Sequence, residues 1–208
     1  MTDAPPLDSP EALVAPPATG FGITTRTPRP EVRRIGVTQQ GSWYLYGATP
    51  DDPDRQPVEA VATPRITDVR VVSRGKGSSF GRRDYLDVTM IGETPAVRYV
   101  LSLPCLMRSS DGKRLPTQRS VRSLLGALLT IDQLAATPLK LEPSRGKKAT
   151  FTNVFFDPAG ERPVTGEDIG PDETDLHRAV NNVRARLGLS PQFAELGDAS
   201  DRSTATDS

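Results

Sequence analysis

The stretch from residue 74 to residue 90, RGKGSSFGRRDYLDVTM, joins residue types that bind phosphate to a run that suits a strand. Its first ten positions hold three glycines and four basic residues, which are Arg74, Lys76, Arg82 and Arg83. A glycine-rich basic loop can cradle a nucleotide phosphate, as in an NTPase or a kinase, or contact a nucleic-acid backbone. A connector between two strands, without a binding role, is the third interpretation.

Nucleotide-binding enzyme motifs do not fit this loop. The sequence lacks the G-x-x-x-x-G-K-[ST] pattern of a P-loop. In GKGSSFG the last glycine of the kinase-type G-x-G-x-x-G pattern comes one residue too late, and no H-R-D or D-F-G follows. A dinucleotide-binding loop opens a helix, whereas the residues after Gly81 alternate as a strand does. We therefore expect no enzymatic activity and no cofactor.

The single cysteine, Cys105, and the single histidine, His177, limit thiol and metal chemistry. One residue of each type cannot form a zinc cluster unless carboxylates dominate, so we expect no metal site. A Cys105–His177 nucleophile pair has no support in the sequence beyond the presence of both residues. A lone cysteine also excludes an internal disulfide and is typical of a reducing compartment.

Charge is unevenly distributed along a chain whose formal net charge is zero. Residues 1–64 hold 5 basic and 8 acidic side chains, and residues 157–208 hold 5 basic and 11 acidic ones. Residues 65–156 hold 16 basic and 7 acidic side chains, a net charge of +9. A basic middle between acidic flanks indicates a site for an anionic partner.

The elements that would position the basic loop are mainly strands. Apolar alternation and β-branched residues predict five strands and a hairpin, and apolar residues at helical spacing predict two helices. The hairpin spans 31–47, the strands 65–73, 84–91, 97–103, 138–143 and 149–157, and the helices 119–134 and 171–188. In the second strand, Leu86, Val88 and Met90 alternate with Tyr85, Asp87 and Thr89, so Tyr85 is predicted to face outward.

Composition divides the chain into a central domain and flanking segments. We expect a disordered tail over 1–22, a hairpin extension with a linker over 23–60, and a nucleic-acid-binding domain over 61–165. A C-terminal helix over 166–190 and a disordered polar tail over 191–208 complete the prediction. The acidic, proline-rich N-terminus lacks the features of a signal peptide, and no apolar run has the length of a membrane span. We therefore expect a cytoplasmic protein, in a bacterial cytoplasm or nucleoid or encoded by a phage, with no membrane partner.

The order of three strands, a helix and two strands resembles that of the OB-fold single-stranded DNA-binding proteins, over residues 65–156. The resemblance implies a five-stranded OB-fold barrel with the helix between strands 3 and 4. It also implies a binding face on strands 2 and 3, flanked by two loops, both of which are basic here. Unlike the bacterial members, this chain ends in STATDS, without an acidic tip and a terminal aromatic residue.

Phosphate contacts and base-stacking platforms make up the predicted site. The predicted residues are Arg74, Lys76, Arg82, Arg83, Arg98, Arg145, Lys147 and Lys148 for phosphate, and Trp43, Phe80, Tyr85 and Tyr99 for stacking. Tyr44 in the hairpin is a further stacking candidate. Tyr85 and Tyr99 also fit cross-strand packing under the hairpin, and Trp43 also fits a role in the core or at an interface. The predicted function is non-catalytic binding of single-stranded DNA with little sequence preference, in replication, recombination or repair, by a homo-oligomer that is predicted to be a dimer. RNA binding and a structural or adaptor role, in which the barrel contacts proteins, are the alternatives.

Overall fold

The computed structural model describes residues 31–38, 40–46, 55–63, 65–75, 83–92, 94–106, 113, 115–147, 149–156 and 160–194. Within these ranges the chain forms nine strands and two helices. In chain order they are β1 (Glu31–Val37), β2 (Trp43–Leu45), β3 (Gln56–Val58), β4 (Val61–Thr63), β5 (Ile66–Arg74), β6 (Arg83–Ile91), β7 (Val97–Leu106), α1 (Arg119–Thr130), β8 (Leu139–Arg145), β9 (Thr150–Phe156) and α2 (Glu173–Arg186). The mainly β class predicted from the sequence is confirmed.

The larger sheet is six-stranded, in the order β3-β2-β1-β7-β6-β5. Its strands pair antiparallel, except that β1 runs parallel to β7 from Glu31 beside Val97 to Ile35 beside Leu101. The predicted hairpin is confirmed as β1 and β2, joined through a turn in which Gly41 adopts a φ of +84°. Since β1 pairs with β7, this hairpin belongs to the central sheet and is not a separate extension.

One face of this sheet lies on the core, as the period of two predicts. Leu86, Val88 and Met90 on β6 are each 0% exposed. Their partners on β7 include Leu103 and Leu101, which are also fully buried. Helix α1 contributes the fully buried leucines Leu124, Leu125 and Leu128 to the same core, and α1 packs on β9, α2 and β7. The opposite face of the sheet is therefore the one left for polar side chains.

The smaller sheet has three strands, in the order β4-β8-β9. It adjoins the larger sheet through the chain itself, because β5 follows β4 after residues 64–65. A five-stranded barrel would require β9 to pair with β7. The described part of β7 pairs with β6 on one side and β1 on the other, so the described strands form no closed barrel.

The end of α1 and two short strands differ from the predictions. Helix α1 ends at Thr130, four residues before its predicted end, because Ile131 is extended and Gln133 has a φ of +52°. Ile131 and Leu134 are nevertheless buried, in the turn after the helix. Their spacing in the sequence is the same as that of buried residues in a helix, which explains the longer prediction. The short strands β3 and β4 lie in segments that carried no strand prediction, and β3 falls within the extension and linker predicted over 23–60.

Helix α2 buries its apolar side, Leu176, Ala179, Val180 and Val183, within the chain itself. Acidic Glu173 and Asp175 occupy its first turn, and Arg184 and Arg186 its last, as the helix dipole favours. Gly188, at a φ of +72°, follows the helix. No helix of the described chain is long and apolar enough to cross a membrane.

The predicted polar tail begins with an ordered contact. The Gln192 side chain bonds both backbone groups of Val71 on the edge strand β5, donating to the carbonyl at 2.7 Å and accepting from the N–H at 2.8 Å. Residues 1–30, which include the predicted N-terminal tail, and residues 195–208 lie outside the described ranges.

Candidate functional site

A cleft of about 870 Å³ opens on the polar face of the six-stranded sheet. The side chains that give it its character are three arginines and three tyrosines, from β2, β5, β6 and the residues beside β2 and β3. We call it the arginine–tyrosine cleft and define it by Tyr44, Tyr46, Arg55, Arg74, Arg83 and Tyr85. No acidic residue is among the described residues that line it. The cleft is therefore positively charged and aromatic.

Two of the arginines lie directly opposite each other. Arg74 at the end of β5 pairs in register with Arg83 at the start of β6. Like charges at opposed positions of neighbouring strands repel, so this pair is unfavourable unless an anion or a carboxylate compensates it. Arg74 ends β5 and Arg83 begins β6, so the two strand ends that flank the glycine-rich segment in the sequence line the cleft.

The buried carboxylate of Asp87 balances the positive charge of Arg74 from beneath the cleft. The Arg74 guanidinium pairs through Nη2 with Asp87 Oδ2 and donates through Nη1 to Ser102 Oγ at 3.1 Å. The Ser102 hydroxyl donates in turn to Asp87 Oδ1 at 2.7 Å, and Asp87 is only 7% exposed. Arg34 Nη1 lies 3.9 Å from Asp87 Oδ2, so one carboxylate faces two guanidinium groups.

The tyrosines stand close to these cations. The Arg74 guanidinium carbon lies 5.2 Å from the centre of the Tyr85 ring, and that of Arg55 lies 4.8 Å from the centre of the Tyr44 ring. Both distances are within the range of a cation–π contact. The Tyr44 and Tyr46 rings meet edge to face, with centroids 5.0 Å apart. The Tyr44 hydroxyl donates to the Tyr46 hydroxyl at 3.1 Å.

Burial raises the pKa of Tyr46 to about 12, and the hydrogen bond with Tyr44 acts in the same direction. The Tyr46 hydroxyl is thus neutral at physiological pH and remains able to donate or accept a hydrogen bond. Tyr46 and Tyr85 are both partly exposed, whereas Tyr44 is 9% exposed. Tyr46 and Tyr85 can therefore present ring surface to a ligand, with Tyr44 as a support beneath Tyr46.

Elements from the other side of the molecule also reach the cleft. Gln118 and Ser120, at the start of α1, line it, so the positive end of the helix dipole faces the same space. Thr150, the first residue of β9, lines it as well. Thr150 is therefore the residue through which the smaller sheet contributes to the cleft.

A second hollow of about 370 Å³ adjoins the first at the turn between β1 and β2. Both hollows are lined by Gln40, Gly41 and Trp43. Arg145, at the end of β8, lines the second hollow together with Glu59, so it stands near the cleft but outside it. Lys147 is exposed and lines neither hollow.

The prediction that Tyr99 shares a binding face with Tyr85 is wrong. Tyr99 is in register with Met90, which is fully buried, and packs against the core. Tyr85 is in register with Pro104 and points to the opposite face. The two rings face opposite sides of the sheet because successive residues of a strand alternate in direction. The pair Tyr85–Pro104 and the pair Met90–Tyr99 are five residues apart along β6, an odd number.

Trp43 is likewise unsuitable as a stacking platform, because it is 2% exposed and belongs to the hydrophobic core. It forms part of the floor that the two hollows share. Arg98 is exposed on the polar face of β7, but it lies six residues from Pro104, about 20 Å along the strand. The predicted contacts Lys76, Phe80, Arg82 and Lys148 lie outside the described residues.

The structure thus brings together Arg74, Arg83 and Tyr85 of the predicted set and adds residues that the sequence prediction missed: Tyr46, Arg55, Asp87 and Ser102. A usable signal was present in WYLY, residues 43–46, where strict alternation separates Trp43 and Leu45 from Tyr44 and Tyr46. Arg55 had no such signal, because its position depends on the pairing of β3 with β2.

The described residues contain neither an accessible thiol nor a group of potential metal ligands. Cys105 is 0% exposed, and burial raises the pKa of its thiol to about 12, so it is a neutral, enclosed thiol. His177 stacks on Phe193, with ring centroids 3.6 Å apart. No group of three or more potential metal ligands occurs among the described histidine, cysteine and acidic residues.

No protein-family model matches the chain, and searches of curated proteins and of solved structures find no significant match.

Proposed function

We propose that this protein binds single-stranded DNA, without catalysis and with little sequence preference, in the arginine–tyrosine cleft. The observation that carries the proposal is the joint presence of three arginines and three tyrosines around one cleft of about 870 Å³ that no described acidic residue lines. The chemistry of a single strand matches both features, because it offers a phosphate backbone and unpaired bases.

Phosphate neutralisation supplies the attraction. Arg55 and Arg83 are exposed at the cleft, and the positive end of α1 points toward it. Each phosphate that such groups neutralise releases counterions, so the affinity falls as salt rises. The net charge of +9 over residues 65–156 extends this attraction beyond the cleft itself.

Base stacking supplies the preference for single strands. Stacking of a base on an aromatic side chain contributes roughly 1–3 kcal/mol, and every base has a π-face. Tyr46 and Tyr85 present partly exposed rings in the cleft. A duplex keeps its bases stacked on one another, so these rings favour unpaired strands with little regard to sequence.

The architecture is consistent with an OB-fold ancestry, which we include in the proposal. Strands β5, β6 and β7, helix α1, and strands β8 and β9 follow the order of such a barrel, and β4 extends β5 toward β8. In this chain β1 takes the place beside β7. Residues of β6 and β7, the strands that carry the binding face in the resemblance, line the cleft together with residues of β1 and β2.

A labelled oligo-dT of about sixteen nucleotides, the upper end of the range for one OB fold, tests the proposal by fluorescence anisotropy. Tyr85→Ala is expected to weaken binding by about fivefold or more, the effect of losing one stacked base. The matched control is Phe156→Ala, another strand aromatic, which is 50% exposed and away from the cleft. Equal losses in the two variants would contradict binding at the cleft.

The same assay separates the alternatives. Competition by oligo-rU as effective as that by oligo-dT would indicate RNA as an equal ligand, since only the 2′-hydroxyl and the base methyl distinguish the two strands. A stable protein complex formed without any nucleic-acid binding would indicate the adaptor role. Molar mass by light scattering, with and without oligo-dT, tests the proposed dimer.

A further inference from the structure

Arg74 of the cleft is held by a buried carboxylate, that of Asp87. We propose that Arg74 is a positioning residue, which fixes the Tyr85 ring as a stacking platform and does not itself bind phosphate. This inference rests on the proposed function.

Both terminal nitrogens of Arg74 already have partners. Nη2 pairs with Asp87 Oδ2, and Nη1 donates to Ser102 Oγ at 3.1 Å. The Ser102 hydroxyl closes the arrangement by donating to Asp87 Oδ1 at 2.7 Å. The Asp87 side chain is 9% exposed and that of Arg74 33% exposed, so the pair is largely shielded from water.

A phosphate that recruited Arg74 would have to separate it from Asp87. Removing one partner of a buried ion pair leaves a charge without compensation, which is strongly unfavourable. Arg34 lies farther from Asp87, at 3.9 Å, and is more exposed than Arg74, so it would balance the charge of Asp87 only in part. Arg74 is therefore retained in its present position when an anion enters the cleft.

In that position the guanidinium lies over one face of the Tyr85 ring, 5.2 Å from its centre. Neighbouring strands place Val72 and Pro104 beside Tyr85 in register. The ring is thus supported on one face and flanked on both sides, which leaves its other face for a base. A planar guanidinium suits this role better than an ammonium group, because it stacks on aromatic rings.

Arg55 and Arg83 are exposed and line the cleft. Exposed arginines at the cleft can release counterions when a phosphate binds, and this does not require the Arg74–Asp87 pair to open.

The double variant Arg74→Gln/Asp87→Asn tests the assignment, because it removes both charges, keeps the net charge and leaves two amides that can bond each other. Oligo-dT affinity is measured over a range of salt concentrations in the wild type, in this variant, in Tyr85→Ala and in the combination of all three changes. We expect binding about twofold to tenfold weaker than in the wild type, the effect of a lost cation–π support, with an unchanged slope of log K against log salt. We expect no further loss when the variant is combined with Tyr85→Ala.

Two results would overturn the inference. A slope reduced by about 0.7, the value for one phosphate on a single strand, would make Arg74 a phosphate ligand. An equal loss of affinity with Tyr85 present or replaced would show that Arg74 does not act through the ring. Wild-type protein that binds no oligo-dT would instead refute the proposed function, and the inference with it.

Arg74→Lys provides a second test that keeps the charge. A phosphate ligand would tolerate this change, because lysine also binds phosphate. A support for Tyr85 would not, since the ammonium lacks the planar fork that bonds Asp87 and Ser102 together. Weaker binding at an unchanged salt slope supports the positioning role, and wild-type affinity contradicts it.

Discussion

Gly36 lies directly under the ring of its cross-strand partner Tyr44. A Cβ at Gly36 would stand 2.6 Å from Tyr44 Cζ and 2.8 Å from Tyr46 Cε2, closer than packed carbon atoms come. Glycine at this position of β1 thus makes room for the tyrosine pair that forms one side of the cleft. The arrangement links the N-terminal hairpin to the candidate site.

Gly36→Ala is therefore expected to displace Tyr44 and Tyr46, because the buried Tyr44 ring has little space into which to move. We expect the free energy of unfolding to fall by about 1–3 kcal/mol, as in overpacked cores, and oligo-dT affinity to fall as well. Urea denaturation and fluorescence anisotropy measure the two effects. Unchanged affinity in a destabilised variant would show that the tyrosine pair does not contribute to binding.

The pH dependence of stability at high pH provides a test of the Tyr46 environment. Its pKa is about 12 in the folded chain against an ordinary value of 10.0, so the folded state holds the proton more tightly than the unfolded state. Its contribution to stability is full below about pH 10 and is lost as pH rises toward about 12. Comparison of wild type with Tyr46→Phe by urea denaturation should show a shallower decline in the variant. Parallel declines would contradict the raised pKa.

Charge reversal distinguishes a defined site from general electrostatic attraction. Arg83→Glu is expected to weaken oligo-dT binding by about tenfold or more, since it replaces a phosphate contact with a repulsion inside the cleft. Arg162→Glu changes the net charge equally at an exposed residue that does not line the cleft. The Arg162 variant should lose much less oligo-dT affinity, as measured by anisotropy at one salt concentration. Equal losses of affinity in the two variants would indicate a diffuse basic surface.

The Cys105 thiol should be inert in the folded protein. It is fully buried and has its pKa raised to about 12, so both access and thiolate formation are suppressed at neutral pH. A thiol reagent such as DTNB is expected to react only as fast as the chain unfolds, and Cys105→Ala should retain oligo-dT affinity. Fast labelling of the native protein would contradict the burial, and lost affinity in a folded variant would give the thiol a role in binding.

The sequence was sufficient to predict those elements whose periodicity is local. The alternation of Leu86, Val88 and Met90 places Tyr85 on the polar face, and the structure confirms both assignments. The amphipathic pattern and the terminal charges of α2 also predict its position within two residues at each end. In these cases the residues that determine the outcome are neighbours in the chain.

What the sequence could not predict depends on contacts between distant segments. Nothing near residues 31–37 indicates that β1 will lie parallel to β7, and this pairing decides that no closed barrel forms among the described strands. Tyr99 has the same aromatic character as Tyr85, and only the register with Met90 shows that it faces the core. The role of Arg74 likewise depends on Asp87, thirteen residues away along the chain and on the adjacent strand.

The binding of single-stranded DNA in the cleft is best tested by the salt dependence of oligo-dT affinity in the unmodified protein. We expect binding at micromolar protein or below, with log K falling linearly against log salt at a slope of about −1.4 or steeper, the value for phosphates at Arg55 and Arg83. Steeper slopes would indicate additional phosphate contacts from the basic loops. The absence of salt-sensitive binding at micromolar protein would contradict the assignment of the arginine–tyrosine cleft to single-stranded DNA.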